Sequence, residues 1–155
     1  MTYQLGARSV AKLRGVHPML VAVVNRAIEL TEQDFSVVDG LRSAAQQAEL
    51  VRRGASQTLA SRHLAQPDGW GHAVDLVPYH DGAPRWEWPL IYPVAAAVHK
   101  AARQLGVALR WGGVWDRRLE LLPGTPLGLQ EAVLAYARRH PGPDFLDGPH
   151  YELVS

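Results

Sequence analysis

The stretch SRHLAQPDGWGHAVDLV, residues 61–77, is the most informative part of the chain. Residues 72–77 have the alternating apolar pattern of a strand. Side chains alternate along a strand, so Asp75 lies between two apolar residues of its own face while His72 points to the other face. A carboxylate in that setting is costly to bury without a cation, hydrogen-bond donors or water. His63, in the preceding loop, can close over the face that carries Asp75.

A second informative stretch, DGPH, occupies residues 147–150. Its Gly-Pro pair predicts a rigid turn that fixes the offset between Asp147 and His150. The two stretches together offer two imidazoles and one carboxylate as metal ligands, with a second carboxylate nearby. Catalytic zinc typically takes three protein ligands, and two histidines with a carboxylate are one of its usual sets. Zinc lowers the pKa of a bound water from ~15.7 to roughly 7, and a nearby general base can then take the proton.

The composition is that of one globular domain: 155 residues, 47% hydrophobic and 20% charged. A net charge of +1 gives no support for a nucleic-acid partner. The absence of cysteine excludes disulfides and thiolate ligands. Residues 1–13 lack the apolar core of a signal peptide, and no apolar run is long enough to span a bilayer. We therefore expect a monomer made in the cytoplasm without membrane insertion.

Hydrophobic periodicity and turn residues predict four helices and four strands. The predicted helices are Pro18–Leu30, Ser43–Arg53, Pro89–Leu105 and Leu127–Arg139. The predicted strands are Phe35–Val38, His72–Val77 with Pro78 ending it, Val107–Trp111 and His150–Val154. Because helices and strands do not alternate strictly, this order predicts an α+β fold with a small, mainly antiparallel sheet and flanking helices.

The pattern Ser-x-His, Gly-x-Ala-x-Asp and then acid-x-x-His resembles the zinc D,D-peptidase family, whose fold is hedgehog-like. The closest likeness is to phage endolysins that are L-alanyl-D-glutamate peptidases, and D-Ala-D-Ala carboxypeptidases and dipeptidases are related. The likeness covers nearly the whole chain, in order. The other matching pieces are Asp39–Ser43, Gly54–Thr58, Trp86–Pro89, Trp111–Gly113 and Asp147–Leu153.

The resemblance implies a role for each matching residue. It implies one zinc ion with three ligands: His63, Asp75 and His150. Asp147 matches the catalytic acid and base, and Arg42 matches the arginine that binds the scissile carbonyl and its oxyanion. Ser61 matches a serine that orients either the substrate or the first ligand.

The implied substrate is the peptidoglycan stem peptide, cut between L-Ala and D-Glu. One alternative keeps the enzyme class and makes the protein a D-Ala-D-Ala carboxypeptidase or dipeptidase. Another is a zinc-stabilised binding module without turnover, although such a module would need neither Asp147 nor Arg42. We expect one catalytic domain over residues 1–155, without a separate wall-binding domain, that reaches the wall after a holin or lysis opens the membrane.

Three features depart from the family pattern, one of which is Val114 at a position after Trp-Gly-Gly where the endolysins often carry an acid. The spacer between His63 and Asp75 is several residues longer, and its turn residues 68–70 predict a surface bulge. The same insertion can instead displace His63 from the site. Residues 117–145 also form a longer segment than the family usually has, which predicts an added surface helix.

Overall fold

The computed structural model describes residues 2–56, 58–142 and 145–154. Within these ranges the chain forms five α-helices and six strands, together with a 3₁₀ turn at Leu119–Leu121. The helices are α1 (Ala7–Lys12), α2 (Pro18–Leu30), α3 (Ala44–Arg52), α4 (Trp88–Leu105) and α5 (Pro126–Arg139). The strands are β1 (Phe35–Asp39), β2 (Ala73–His80), β3 (Ala83–Pro84), β4 (Leu109–Gly112), β5 (Val114–Arg118) and β6 (Asp147–Leu153).

The strands form one antiparallel sheet in the order β1-β2-β6-β4-β5, and the short β3 pairs with the far end of β2. The predicted α+β class is therefore confirmed. Asp75 on β2 lies opposite Asp39 on β1 and opposite His150 on β6. The sheet register thus brings three segments of distant sequence together around one carboxylate.

Helices α2 and α4 pack against each other, and α4 also contacts β2 and β6. The alternation along β2 places Val74 and Leu76 in the same core cluster as these helices, whereas Asp75 points to the opposite face. The helical face of α2 follows the predicted spacing, with five buried residues: Leu20, Val23, Val24, Ala27 and Ile28. The bounds predicted for α2 are confirmed. Among the described residues no helix combines the length and hydropathy needed to cross a membrane.

The prediction that Pro78 ends β2 is wrong, because the strand continues to His80. The amide of Tyr79 donates to the Asp34 carbonyl beside β1. The Pro78 carbonyl faces the other side, where it accepts from Arg85. On that side β6 pairs only with residues 73–75, so the N–H that proline lacks costs no hydrogen bond to β6.

The turn predicted at Gly148-Pro149 is also wrong, because both residues lie within β6. Trp111 pairs with Tyr151 and Gly112 pairs with Asp147, so one step along β4 corresponds to four steps along β6. Three residues of β6 therefore bulge from the ladder. The Trp111 indole donates to the Gly148 carbonyl at 2.7 Å and holds this bulge. A Cβ on Gly112 would lie 2.0 Å from the Asp147 carbonyl oxygen, so this crossing requires glycine.

Candidate active site

The three residues predicted as metal ligands meet where β2 and β6 pair. The carboxylate oxygen Oδ1 of Asp75 lies 3.2 Å from Nε2 of His63 and 3.3 Å from Nδ1 of His150. One ligand atom from each of the three residues lies within 4.8 Å of the others. Both histidines are buried, and the Asp75 side chain is 16% exposed. The group is therefore mostly enclosed, with Asp75 its most exposed member.

The remaining ring nitrogens are occupied by acceptors. Nδ1 of His63 lies 2.8 Å from the carbonyl oxygen of Gly40, and Nε2 of His150 lies 2.8 Å from Oε1 of Glu152. Since carbonyl and carboxylate oxygens only accept, each of these nitrogens carries the proton. When each ring is neutral, as a metal ligand must be, the lone pairs remain on Nε2 of His63 and Nδ1 of His150, which both face Asp75. This donor set fits a zinc ion.

The charges of the cluster also favour a cation. Burial disfavours the ionised Asp75 carboxylate, but hydrogen bonds from His150 and His63 outweigh burial and hold its pKa well below the usual range. Burial likewise disfavours a charged His150, yet the Asp75 and Glu152 carboxylates raise its pKa to about 9. The same carboxylate charges that hold a proton on His150 would also attract a metal cation.

Arg42 lies beside this cluster, just after β1. Its guanidinium donates to Oδ2 of Asp39 at 2.5 Å and to Oε1 of Gln47 at 2.9 Å. A weaker contact of 3.4 Å joins it to Oδ2 of Asp75. Gln47 is fully buried on α3, whose N-terminus is fixed by a capping box at Ser43. The planar guanidinium is therefore held in one orientation with its edge toward the candidate ligands.

Asp147 and Ser61 border the same site. Both line a groove of about 360 Å³, together with Arg42, His63 and His150. Burial raises the pKa of Asp147, and the neighbouring Asp75 charge raises it further. The Ser61 hydroxyl accepts from the backbone N–H of His63 at 3.1 Å. Of the two roles implied for Ser61, this contact corresponds to orienting the first ligand.

Two aromatic residues form one wall of the groove. Trp115 and Phe145 line it, and the Trp115 ring lies 5.4 Å from the His150 ring. The Trp115 indole donates to the Phe145 carbonyl at 2.7 Å, which joins β5 to the segment before β6. Gln57, part of one matching motif, lies outside the described residues.

The long spacer does not displace His63. It folds back as a small hairpin, with the Gln66 amide donating to the Trp70 carbonyl at 2.9 Å and an isolated bridge between Ala65 and Gly71. His72, next to this hairpin, lies outside the ligand group as strand alternation predicts. Its ring contacts Asp68 instead, at 2.7 Å.

Comparisons with known proteins agree with the motifs. Residues 1–122 match the family model described as phage L-alanyl-D-glutamate peptidase. The L-alanyl-D-glutamate peptidase of Escherichia phage T5 is 33% identical over 120 residues, which are 75% of this chain and 84% of that protein.

A solved structure extends the likeness past residue 122. The L-Ala D-Glu endopeptidase ChiX of Serratia marcescens is 39% identical, with a TM-score of 0.71 over 97% of this chain and 90% of that one. The match therefore reaches β6, which carries Asp147 and His150. On these matches and on the ordered motifs, the chain belongs to the phage L-alanyl-D-glutamate peptidase family.

Proposed function

We propose that this protein is a zinc-dependent peptidase that hydrolyses the L-Ala–D-Glu bond in peptidoglycan stem peptides. The observation that carries the proposal is the convergence of His63, Asp75 and His150 beside Asp147 and Arg42 in one groove. Zinc, when bound to the three ligands, supplies Lewis acidity that favours a nucleophilic water near neutral pH and polarises a carbonyl oxygen.

Asp147 is the proposed general base and then general acid. Its carboxylate borders the groove, and burial together with the Asp75 charge raises its affinity for a proton. A carboxylate of raised pKa can take a proton from the attacking water and return it to the leaving amine. Both transfers are needed, since an amide nitrogen leaves poorly without a proton.

Arg42 is the proposed stabiliser of the carbonyl oxygen during attack. Hydrogen bonds to Asp39 and Gln47 fix its guanidinium before substrate arrives. Such preorganised donors stabilise charge that develops in the transition state, because little reorganisation is needed at that moment. Ser61 supports the loop that carries His63, and Trp115 with Phe145 provides an apolar wall for the stem peptide.

The decisive experiment is digestion of purified peptidoglycan followed by mass spectrometry of the new termini. Cleavage of L-Ala–D-Glu leaves a free amine on glutamate and a free carboxylate on the L-alanine attached to muramic acid. Release of free D-alanine from the peptidoglycan would instead identify a carboxypeptidase, and hydrolysis of the free dipeptide D-Ala-D-Ala would identify a dipeptidase. Absence of any new terminus, with zinc bound, would support a binding module. The Asp147→Asn variant is the matched blank.

A further inference from the structure

We infer that Glu152 is a positioning residue that sets the tautomer and orientation of His150, and that Arg62 holds Glu152 in place. The inference rests on the proposed zinc site and deepens it. Glu152 is buried on β6, two residues after His150. Its Oε1 lies 2.8 Å from Nε2 of the ring, whereas Asp75 contacts the other ring nitrogen, Nδ1, at 3.3 Å. Glu152 therefore contacts the nitrogen that does not face the ligand group.

A neutral imidazole carries one N–H and one lone pair, so its partner on one nitrogen decides what the other nitrogen can do. The Glu152 carboxylate can only accept, and it therefore places the ring proton on Nε2. The lone pair on Nδ1 then faces the position where the ligand atoms of Asp75 and His63 converge. A carboxylate in this place also increases the basicity of a ligating histidine.

The other carboxylate oxygen of Glu152 is held by two arginines. Nε of Arg62 lies 3.8 Å from Oε2, and Nη1 of Arg110 lies 3.7 Å from the same oxygen. A buried carboxylate without positive partners would be strongly disfavoured. Because both cations lie at Oε2, Oε1 remains available to His150. The two arginines differ in exposure: the Arg62 side chain is 26% exposed and that of Arg110 is 46% exposed.

Arg62 is itself held by several groups. One of them lies on the spacer hairpin, and another contacts the hairpin. It donates to Oε1 of Gln66 at 2.9 Å and to the Leu153 carbonyl at 3.2 Å. Its Nη2 lies 3.2 Å from Nδ1 of His72, whose other nitrogen contacts Asp68. The spacer is thus joined to His150 through Arg62 and Glu152. The segment predicted to be a surface bulge thus contacts the candidate ligands through Arg62 and Glu152, which also line the groove.

The test compares zinc affinity in Glu152→Ala, Glu152→Gln and Arg62→Ala with that of wild type, by competition with a chromophoric chelator. Loss of an outer partner of a ligand typically weakens metal binding 10–100-fold, and we expect that range for both Glu152 variants. Glutamine should do no better than alanine. Its amide oxygen will face the arginines, so its NH₂ group will face Nε2 of His150 and favour the wrong tautomer. Arg62→Ala should weaken binding by a smaller factor.

Two controls separate positioning from general stability. Glu49→Gln makes the same substitution in an exposed ion pair with Arg52, away from the groove, and should leave zinc affinity unchanged. The melting temperatures of the zinc-free proteins measure the stability that each variant loses with its buried ion pair, separately from its zinc affinity.

Zinc affinities of both Glu152 variants within about twofold of wild type, far short of the expected range, would overturn the inference. If those variants do not fold, unchanged affinity in Arg62→Ala overturns it instead. A wild-type protein that binds no zinc would overturn the proposed zinc site and this inference together, whereas equal affinities overturn this inference alone.

Discussion

Asp147 differs from its neighbours in the groove because its carboxylate is not committed to another side chain. Among the described residues, it has no side-chain hydrogen bond or ion pair, whereas Asp75 contacts both histidines and Arg42. Its raised pKa therefore comes from burial and from the charge of Asp75 rather than from a bonding partner. A carboxylate in this state can exchange a proton without first breaking a contact.

We expect Asp147→Asn to reduce the turnover number at least ~10²-fold, the usual effect of removing a general base. Asparagine keeps the shape and removes the basicity, and the three ligand residues stay intact, so zinc should remain bound. Initial rates on defined muropeptides and elemental analysis of the same sample test both statements. Near-normal turnover would assign the base to another group.

Arg42→Lys should lower kcat by about 10²-fold with zinc retained, since removal of one oxyanion donor has effects of that order. Lysine keeps the charge but cannot reach Asp39 and Gln47 together with the fixed fork of a guanidinium. Steady-state kinetics separate this effect from one on KM. Arg53→Lys, in an exposed ion pair with Glu49 just after the end of α3, is the matched control. An unchanged kcat would contradict the role proposed for Arg42.

At the scale of elements, the helix α5 is tied to the strand that carries Trp115. Nε and Nη2 of Arg139 donate to the Asp116 carboxylate at 3.1 and 2.9 Å, and Nε2 of His140 lies 3.1 Å from it. Asp116 directly follows Trp115, which lines the groove. The helix predicted over Leu127–Arg139 thus helps to hold one wall of the site.

Asp116→Asn should lower the free energy of unfolding by about 0.5–1 kcal/mol near neutral pH, the range for a partly exposed ion pair. The Arg139 hydrogen bonds, followed by the His140 contact, lower the Asp116 pKa to about 2 against the little burial that would raise it. Because the folded pKa lies below the unfolded value of 3.8, this stabilisation is present above about pH 4 and disappears toward pH 2. Urea unfolding should show the free energies of unfolding of the two proteins converging over that interval. Equal free energies of unfolding at pH 7 would contradict a stabilising ion pair.

Tyr151→Phe should raise the free energy of unfolding by about 1 kcal/mol. The Tyr151 hydroxyl is buried, and the described protein atoms give it no hydrogen-bond partner. An unpaired buried hydroxyl is costly, and phenylalanine keeps the ring that stacks on Trp111 at 6.5 Å. Urea unfolding of the two proteins measures the difference. A loss greater than about 1 kcal/mol would show that the hydroxyl is hydrogen-bonded after all.

The sequence predicted local features well and missed those that arise between strands. The bounds of α2 follow from its own apolar spacing. The start of β6 does not follow from its local sequence. Gly148-Pro149 taken alone predicts a turn, but Trp111 on β4 holds this pair in the strand. His63, Asp75 and His150 could be named from their motifs. The Gly40 carbonyl that contacts His63 could not be predicted, because every residue type has a backbone carbonyl.

At the scale of the whole molecule, the candidate metal would join three separate segments of the chain. His63 belongs to the spacer loop, Asp75 to β2 and His150 to β6. Two buried histidines and a carboxylate lie together there, although burying such polar groups is unfavourable. An ion bound at this point stabilises the folded protein, because the unfolded chain does not bring the ligands together.

We expect about one zinc per chain and a clear loss of stability when it is removed. Free zinc at 100 times its dissociation constant adds about 2.7 kcal/mol to the free energy of unfolding. For a domain of this size each kcal/mol moves the melting temperature by roughly 2–4 °C, so chelation should lower it by about 5–11 °C. Asp147→Asn should keep this shift and His63→Ala should lose it. Less than a third of an equivalent of zinc, with full activity in chelator, would contradict the assignment.

The position of β6 in the sheet affects how the protein folds during its synthesis. β6 lies between β2 and β4, yet the ribosome makes it after both. Translation proceeds at about 5–20 residues per second, so β4 and β2 wait on the order of seconds for the strand that joins them. During that interval the emerging chain has two open strand edges and lacks both Asp147 and His150. The ability to cut the cell wall is therefore acquired in one step, when the central strand is inserted between two strands made before it.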